Sequence, residues 1–172
     1  MDASSAFKDS LPTTPETLMA QLDAAGIAYT HYSHPPVRTV EDSKEYRDGM
    51  SGTHVKNLYL RDRKKRNFLV ITQEDQAVDL KSLQEDISAD RLSFGRPDRL
   101  FEFLGVRPGA VSLFTLVNDT SHQVQLALDS SLLQVDRVYF HPLVNDLTLG
   151  VTPDDIQAFL KITGHQPKII NL

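Results

Sequence analysis

The chain has 172 residues, of which 40% are hydrophobic and 24% are charged, and its formal net charge is −5. This composition predicts a globular protein with a hydrophobic core and excludes disordered and fibrous classes. The negative charge argues against a protein that coats nucleic acid through general basicity, although it leaves room for a local basic patch. Because the chain has no cysteine, it has no disulfide, no thiolate zinc site and no cysteine nucleophile.

The N-terminal residues are polar and acidic, and residues 1–12 are predicted to form a flexible tail. They lack the order of charge and apolar residues that defines a signal peptide, and no apolar run could span a bilayer. We therefore expect a cytoplasmic protein with no membrane partner. Residues 13–172 are predicted to form a single domain.

The first predicted helix covers residues 13–27. Thr14 is suited to cap it, Pro15 to occupy its first position, and Gly26 to end it. A strand over residues 27–32 follows. A turn with two prolines then leads into a short polar helix over residues 40–47.

A β-hairpin is predicted from residues 55–61 and 67–73, joined by a basic tip at 62–66. Two helices come next, over residues 79–87 and 96–105. Within the second helix, three apolar side chains are predicted to face the core: Leu100, Phe101 and Leu104.

Strands dominate the remainder of the chain. They are predicted at residues 107–119, 122–129 and 135–143. A capped helix over residues 152–164 follows, and the segment 167–172 is suited to a last strand. The irregular interleaving of helices and strands predicts one α+β domain with a mixed sheet.

Several kinds of chemistry are absent from the sequence. There is no G-x-S-x-G elbow, and the six histidines do not show metal-ligand spacing. Neither of the two phosphate-binding glycine motifs is present. We therefore expect no metal and no cofactor.

Polar residues at the ends of predicted strands are the remaining candidates. Lys56 shares a strand face with two leucines, which is unusual because a buried ammonium is costly unless it is paired. Each candidate also has a purely structural explanation. Lys56 could extend to solvent from an edge strand, His141 and Asn145 could tie down a turn, and Gly109 could serve only as a turn residue.

The basic tip is the densest positive stretch in the chain. It is a candidate for contact with tRNA phosphates, and the alternative is a solvated hairpin tip. Its positive residues are Arg61, Arg63, Lys64, Lys65 and Arg66.

Seven short motifs occur in an order that resembles one family. The chain is similar to the YbaK/ProX family of prolyl-tRNA editing domains, and the resemblance runs from about residue 13 to residue 167. No single motif is strong, and the series carries the resemblance. The motifs are HPPVRTVE from residue 34, GTHVKNLYL from residue 52, VDLK from residue 78, RLSFGRPDRL from residue 91, LGVRPG from residue 104, ND at residue 118 and FHPLVN from residue 140.

This resemblance implies a barrel-like mixed sheet flanked by helices. It also implies hydrolysis, in trans, of a mischarged aminoacyl-tRNA(Pro), with alanyl-tRNA(Pro) as the usual substrate of the ProX branch. The implied partners are the acceptor end of tRNA(Pro) and a prolyl-tRNA synthetase. Cysteinyl-tRNA(Pro) deacylation, another acyl ester as substrate, and a non-catalytic tRNA- or synthetase-binding module remain open as alternatives.

By the same resemblance, Lys56 is the residue most closely tied to activity. Asn57 and His141 match catalytic positions, and Asn145 matches a substrate-binding position. The substrate-binding glycine loop corresponds to Gly109, Ala110, Val111, Ser112 and Leu113, and Leu113 stands where the family usually has proline. We expect the loop N–H groups to bind the carbonyl or oxyanion, and a ribose hydroxyl of the substrate to assist proton transfer.

Overall fold

The computed structural model describes all 172 residues and shows one α+β domain with a mixed sheet of eight strands. The strands are β1 (Thr30–Ser33), β2 (Thr53–Asp62), β3 (Asn67–Gln73), β4 (Leu92–Phe94), β5 (Val124–Asp129), β6 (Val138–Phe140), β7 (Leu147–Val151) and β8 (Lys168–Ile170). The α-helices are α1 (Pro15–Ala24), α2 (Val40–Ser43), α3 (Leu80–Asp86), α4 (Pro97–Leu104) and α5 (Pro153–Thr163). No helix has the length and apolar character needed to cross a membrane.

The sheet follows the strand order β1-β7-β6-β2-β3-β5-β8, with β4 paired separately to β2. Parallel pairs join β6 to β2, β3 to β5 and β5 to β8, and the other pairs are antiparallel. The two end strands, β1 and β8, do not pair, so the sheet is not closed into a barrel. The predicted mixed sheet is confirmed.

The helix ends follow the local signals in the sequence. The Thr14 and Thr152 side chains accept hydrogen bonds from backbone N–H groups in the first turns of α1 and α5. Gly105 and Gly164 end α4 and α5 in the left-handed conformation, with φ of 66° and 80°. The predicted hairpin is also present as β2 and β3.

Three segments differ from the predicted strands. The segment expected as a strand over 107–119 contains a 3-10 helix, Leu113–Asn118, which Ser112 caps by accepting from the Phe114 N–H. Its apolar run is buried inside the domain, and an apolar run by itself does not distinguish a buried helix from a buried strand. Strands β4 and β7 were not predicted.

The N-terminal segment is packed on the domain, in contrast to the predicted flexible tail. Ala3 is buried, and its carbonyl accepts a hydrogen bond from the Asn145 N–H at 2.8 Å. Ser5 begins a 3-10 helix, Ser5–Ser10, and binds the Asp146 carboxylate through its N–H and hydroxyl groups. These partners are about 140 residues away in the sequence, so no local pattern announces them.

Phe101 is a further correction. Leu100 and Leu104 are buried as predicted, but Phe101 is 37% exposed. In a helix of eight residues, a position next to the apolar stripe can lie at the edge of the core. An aromatic ring is therefore left at the surface.

Candidate active site

The edge of strand β2 that faces away from β3 is only partly covered. β6 pairs with it at Thr53 and His54, and β4 pairs with residues 60–62. Between these pairings, residues 55–58 have no strand neighbour on that edge. Lys56 lies in this gap, where the sheet separates and leaves room for a cavity.

A cavity of about 220 Å³ opens at the gap, and we call it the Lys56 cavity. It brings together residues that are far apart in sequence. Its walls include Arg38, Lys56, Asn57, Gly109, Val111 and His141. Five of the predicted site residues thus line one concave site.

Lys56 lies at the edge of the smaller hydrophobic core. Leu58 and Leu60, on the same strand face, pack on that core, in which Leu60 is fully buried. Lys56 is half-buried in the cavity wall, and no carboxylate lies within salt-bridge distance of it. Its ammonium group is therefore available to an anionic ligand.

His141 follows strand β6 directly and is held in one orientation. Its Nδ1 lies 2.7 Å from the Leu147 carbonyl oxygen, and a carbonyl only accepts, so Nδ1 is the protonated nitrogen. Burial lowers the pKa of His141 to about 4. The imidazole is therefore neutral near pH 7, and its Nε2 atom is left as a hydrogen-bond acceptor.

Asn57 stands between the Lys56 cavity and a second, deeper cavity of about 60 Å³. Its Oδ1 atom is buried and has no hydrogen-bond partner. An unpaired buried amide oxygen is costly, and a ligand donor would satisfy it. We call the deeper space the His34 cavity. Its lining residues include His34, Tyr46, Arg47, His54, Tyr139 and Thr148.

The side chains of the His34 cavity are themselves fixed. His34 is hydrogen-bonded to the Pro35 carbonyl and the Thr148 hydroxyl, each at 2.8 Å. Arg47 forms a two-pronged ion pair with Glu74 at 2.7 and 2.6 Å. These bonds hold two polar side chains of the cavity wall in place.

Two residues of the glycine loop, Gly109 and Val111, also line the Lys56 cavity. Gly109 has φ of 99°, which glycine adopts without steric cost. The N–H groups of Val111, Ser112 and Leu113 donate no hydrogen bond within the chain. The Ser112 hydroxyl donates to the His141 carbonyl at 2.7 Å and links the loop to the histidine.

Four predicted residues do not line the Lys56 cavity. Ala110, Ser112 and Leu113 are fully buried, and they anchor the loop in the core. Asn145 lies behind the loop, where its amide donates to the Val37 carbonyl at 2.7 Å. These four side chains therefore support the loop, and substrate binding by the loop backbone stays a prediction.

The basic tip lies away from both cavities. Six residues of extended strand separate Lys56 from Asp62, a distance of roughly 20 Å. Arg63 and Arg66 pair with carboxylates, while Lys64 and Lys65 are exposed and unpaired. The structure does not bring these cations to the cavity.

Sequence reasoning missed Arg38 and the residues of the His34 cavity. The resemblance motif HPPVRTVE contains both His34 and Arg38, and it is the signal that could have identified them. Arg47 and Tyr46 lie in a short polar segment with no motif of its own. No three His, Asp or Glu side chains converge at a spacing that could hold a metal ion.

Comparison with known proteins defines the class. The family model described as the aminoacyl-tRNA editing domain matches residues 34–159. The chain belongs to this family of aminoacyl-tRNA editing domains, and it is by class an aminoacyl-tRNA deacylase.

Two relatives are similar over nearly their whole length. The prolyl-tRNA editing protein ProX of Acetoanaerobium sticklandii is 37% identical over 158 residues, which cover 91% of this chain and 96% of that protein. The mouse prolyl-tRNA synthetase associated domain-containing protein 1 is 35% identical over 159 residues, covering 90% and 94%.

A solved structure supports the fold. The crystal structure of a candidate trans-editing enzyme for prolyl-tRNA synthetase superposes with a TM-score of 0.69, at 20% identity. The match covers 92% of this chain and 95% of that one. The mixed α+β sheet is therefore shared with that structure.

Proposed function

We propose that this chain hydrolyses alanyl-tRNA(Pro) in trans and releases alanine and free tRNA. The observation that carries the proposal is the meeting of Lys56, Asn57, His141 and the glycine loop in one cavity beside a small second cavity. The names of the two curated relatives support prolyl-tRNA as the substrate family and a prolyl-tRNA synthetase as the source of the mischarged tRNA.

Lys56 is proposed to bind the anionic part of the substrate. An ammonium without a carboxylate partner attracts either the phosphate of the terminal nucleotide or the ester oxygens as negative charge develops on them. In the partly closed cavity, this attraction is stronger than it would be in water. The gap beside β2 holds the cation where the acceptor end enters.

The loop N–H groups are proposed to stabilise the oxyanion. When water attacks the ester carbonyl, the carbonyl oxygen becomes negatively charged, and preformed donors lower the energy of that state. Gly109 and Val111, which line the cavity, have N–H groups without partners in the chain.

Asn57 and His141 are proposed to orient the reacting hydroxyl groups. The Nε2 of a neutral His141 accepts a hydrogen bond from the attacking water or from the free ribose hydroxyl. With a pKa of about 4, His141 is a weak base, so the proton of the water passes through the ribose hydroxyl to the leaving ribose oxygen. The bond from the carbonyl carbon to the ribose breaks, and a carboxylic acid is released.

Amino-acid selection is proposed to occur in the His34 cavity. About 60 Å³ suits a methyl group or a few waters better than a bulky side chain. A pocket excludes a larger amino acid by steric clash, which is the easier direction of discrimination. The unpaired Oδ1 of Asn57 is positioned to accept a hydrogen bond from the α-ammonium group of the substrate.

The proposal is tested with Lys56→Ala and purified aminoacyl-tRNAs. We expect kcat/KM for alanyl-tRNA(Pro) to fall by about 10²–10³-fold, the usual loss when a group that stabilises transition-state charge is removed. The exposed Lys161→Ala serves as a matched control and should keep full activity. Circular dichroism verifies that both variants are folded, and full activity in Lys56→Ala would refute the mechanism.

A panel of tRNA(Pro) charged with alanine, cysteine or proline then tests the substrate. Hydrolysis of the alanyl ester in preference to the other two supports the proposal. Preference for the cysteinyl ester would instead define a cysteinyl-tRNA(Pro) deacylase. Tight binding of tRNA without turnover would identify a binding module.

A further inference from the structure

A third cavity, of about 570 Å³, adjoins the proposed active site and has no role in the mechanism above. We call it the Phe101 cavity. It lies between the start of α4, the residues before the glycine loop and the packed N-terminal segment. Its lining includes Arg38, Phe101, Arg107 and Asn145. Its size falls in the range of small-molecule sites.

The Phe101 cavity and the Lys56 cavity share a wall. Arg38 lines both of them. A Cβ atom placed on Gly109 would lie 3.8 Å from the Arg38 Cα and 3.3 Å from the Asn145 Nδ2. A flexible strand whose terminal nucleotide occupies the Lys56 cavity would therefore place its preceding nucleotide at the Phe101 cavity.

The lining of this cavity has the chemistry of a single-stranded RNA site. The Arg107 guanidinium lies 5.2 Å from the centroid of the exposed Phe101 ring, and together they offer flat surfaces on which a base can stack. Arg107 donates only to the Met1 sulfur at 3.5 Å, and neither Arg38 nor Arg107 forms a salt bridge with a carboxylate, although Asp2 also lines the cavity. Both guanidinium groups can therefore bind phosphates.

A buried polar atom gives a second, independent indication of a ligand. Asn145 is 1% exposed, and its Oδ1 has no hydrogen-bond partner. Asp98 also lines the cavity, although its carboxylate already accepts from Arg96 at 3.1 Å. Amide and carboxylate oxygens can accept from the exocyclic amino group of cytosine, and Asn145 also from a ribose 2′-hydroxyl.

We propose that the Phe101 cavity binds the cytidine that precedes the terminal adenosine of the tRNA acceptor end. Every tRNA ends in the single-stranded sequence CCA, so this cytidine accompanies any aminoacyl adenosine that reaches the Lys56 cavity. The proposal rests on the proposed function for the identity of the RNA, and it adds a site for substrate positioning outside the reacting centre.

The test compares the affinities of the full chain for adenosine 5′-monophosphate and for the dinucleotide CpA, both uncharged, by calorimetry. We expect CpA to bind about 5- to 150-fold more tightly, the range for stacking one base on an aromatic side chain. Phe101→Leu should remove most of that gain and leave the affinity for the mononucleotide unchanged. Phe94→Leu is the matched control, because Phe94 is an exposed phenylalanine on β4, outside the cavity.

Arg107→Gln gives a second readout that does not depend on how well Phe101→Leu folds. It should weaken CpA binding and leave the affinity for adenosine 5′-monophosphate unchanged, because the guanidinium belongs to the stacking surface for the base that only the dinucleotide carries. Equal affinities for the two ligands in the wild-type chain, or equal losses for both ligands in the two cavity variants, would overturn the proposal.

The same preparations are assayed for hydrolysis of alanyl-tRNA(Pro), which separates the two hypotheses. Hydrolysis without a preference for CpA refutes the cytidine site and leaves the proposed function intact. A preference for CpA that depends on Phe101, without hydrolysis of any aminoacyl-tRNA, supports the site and refutes the proposed function.

Discussion

The imidazole of His141 is expected to make stability depend on pH in a specific way. In the folded chain its pKa lies at about 4, compared with an ordinary value of 6.5, because burial disfavours the charged ring. As the pH falls below about 6.5, the unfolded chain takes up a proton that the folded chain does not. Stability is therefore lost on acidification, and the loss levels off below about pH 4.

The magnitude follows from the two pKa values. Each tenfold difference in proton affinity corresponds to about 1.4 kcal/mol, so the full effect is about 3 kcal/mol. Between about pH 7 and pH 5, the part contributed by His141 is about 2 kcal/mol. His141→Asn removes the titrating group, and its amide can still donate to the Leu147 carbonyl that Nδ1 contacts.

Urea unfolding of both proteins at several pH values measures this difference. The wild-type free energy of unfolding should fall by about 2 kcal/mol more than that of His141→Asn between about pH 7 and pH 5. His31→Asn, at an exposed histidine, is the control and should follow the wild type. If wild type and His141→Asn have the same pH dependence, the ring is not held neutral by burial, and its proposed role as an Nε2 acceptor fails.

Two further predictions concern the basic tip and a helix end. If the tip contacts phosphates, the double variant Lys64→Glu and Lys65→Glu should raise KM for aminoacyl-tRNA and flatten the salt dependence of KM. The matched control is Lys161→Glu. A KM equal to that of the control would instead define a solvated loop. Gly105→Ala should lower the free energy of unfolding by about 1–3 kcal/mol more than Gly26→Ala, as measured by urea unfolding. Both glycines have positive φ, but a Cβ on Gly105 would lie 2.5 Å from Asn118 Nδ2, whereas a Cβ on Gly26 would have nothing within 4 Å. Equal losses of unfolding free energy in the two variants would contradict this reasoning.

Helix ends and the hairpin could be predicted because their signals are local. Thr14 and Thr152 bind backbone N–H groups three residues away, and Gly105 needs only its own φ to end α4. The basic tip joins β2 to β3 by a short turn within the same stretch of chain. The energy of each feature depends on neighbours in the sequence, so the sequence is sufficient to reveal it.

The candidate site was predictable in part. Lys56 is unusual on its strand face, and the resemblance supplied Asn57, His141 and the glycine loop as companions. In the structure, Lys56, Asn57, His141 and two loop residues line one cavity, whereas Asn145 lies behind the loop. Which side chain lines a cavity and which supports it depends on packing, and short motifs do not record packing.

The sequence alone determined the class of fold, the helix caps, the hairpin and the set of residues worth testing. Only the tertiary structure decided that residues 55–58 lack a neighbour on one edge of β2, that Phe101 is exposed, and that the N-terminal segment is packed on the domain. The physical reason is the range of the interactions. Caps and turns are stabilised within a few residues, whereas the gap, the cavities and the docked segment depend on contacts between distant parts of the chain, which exist only once the whole sheet has formed.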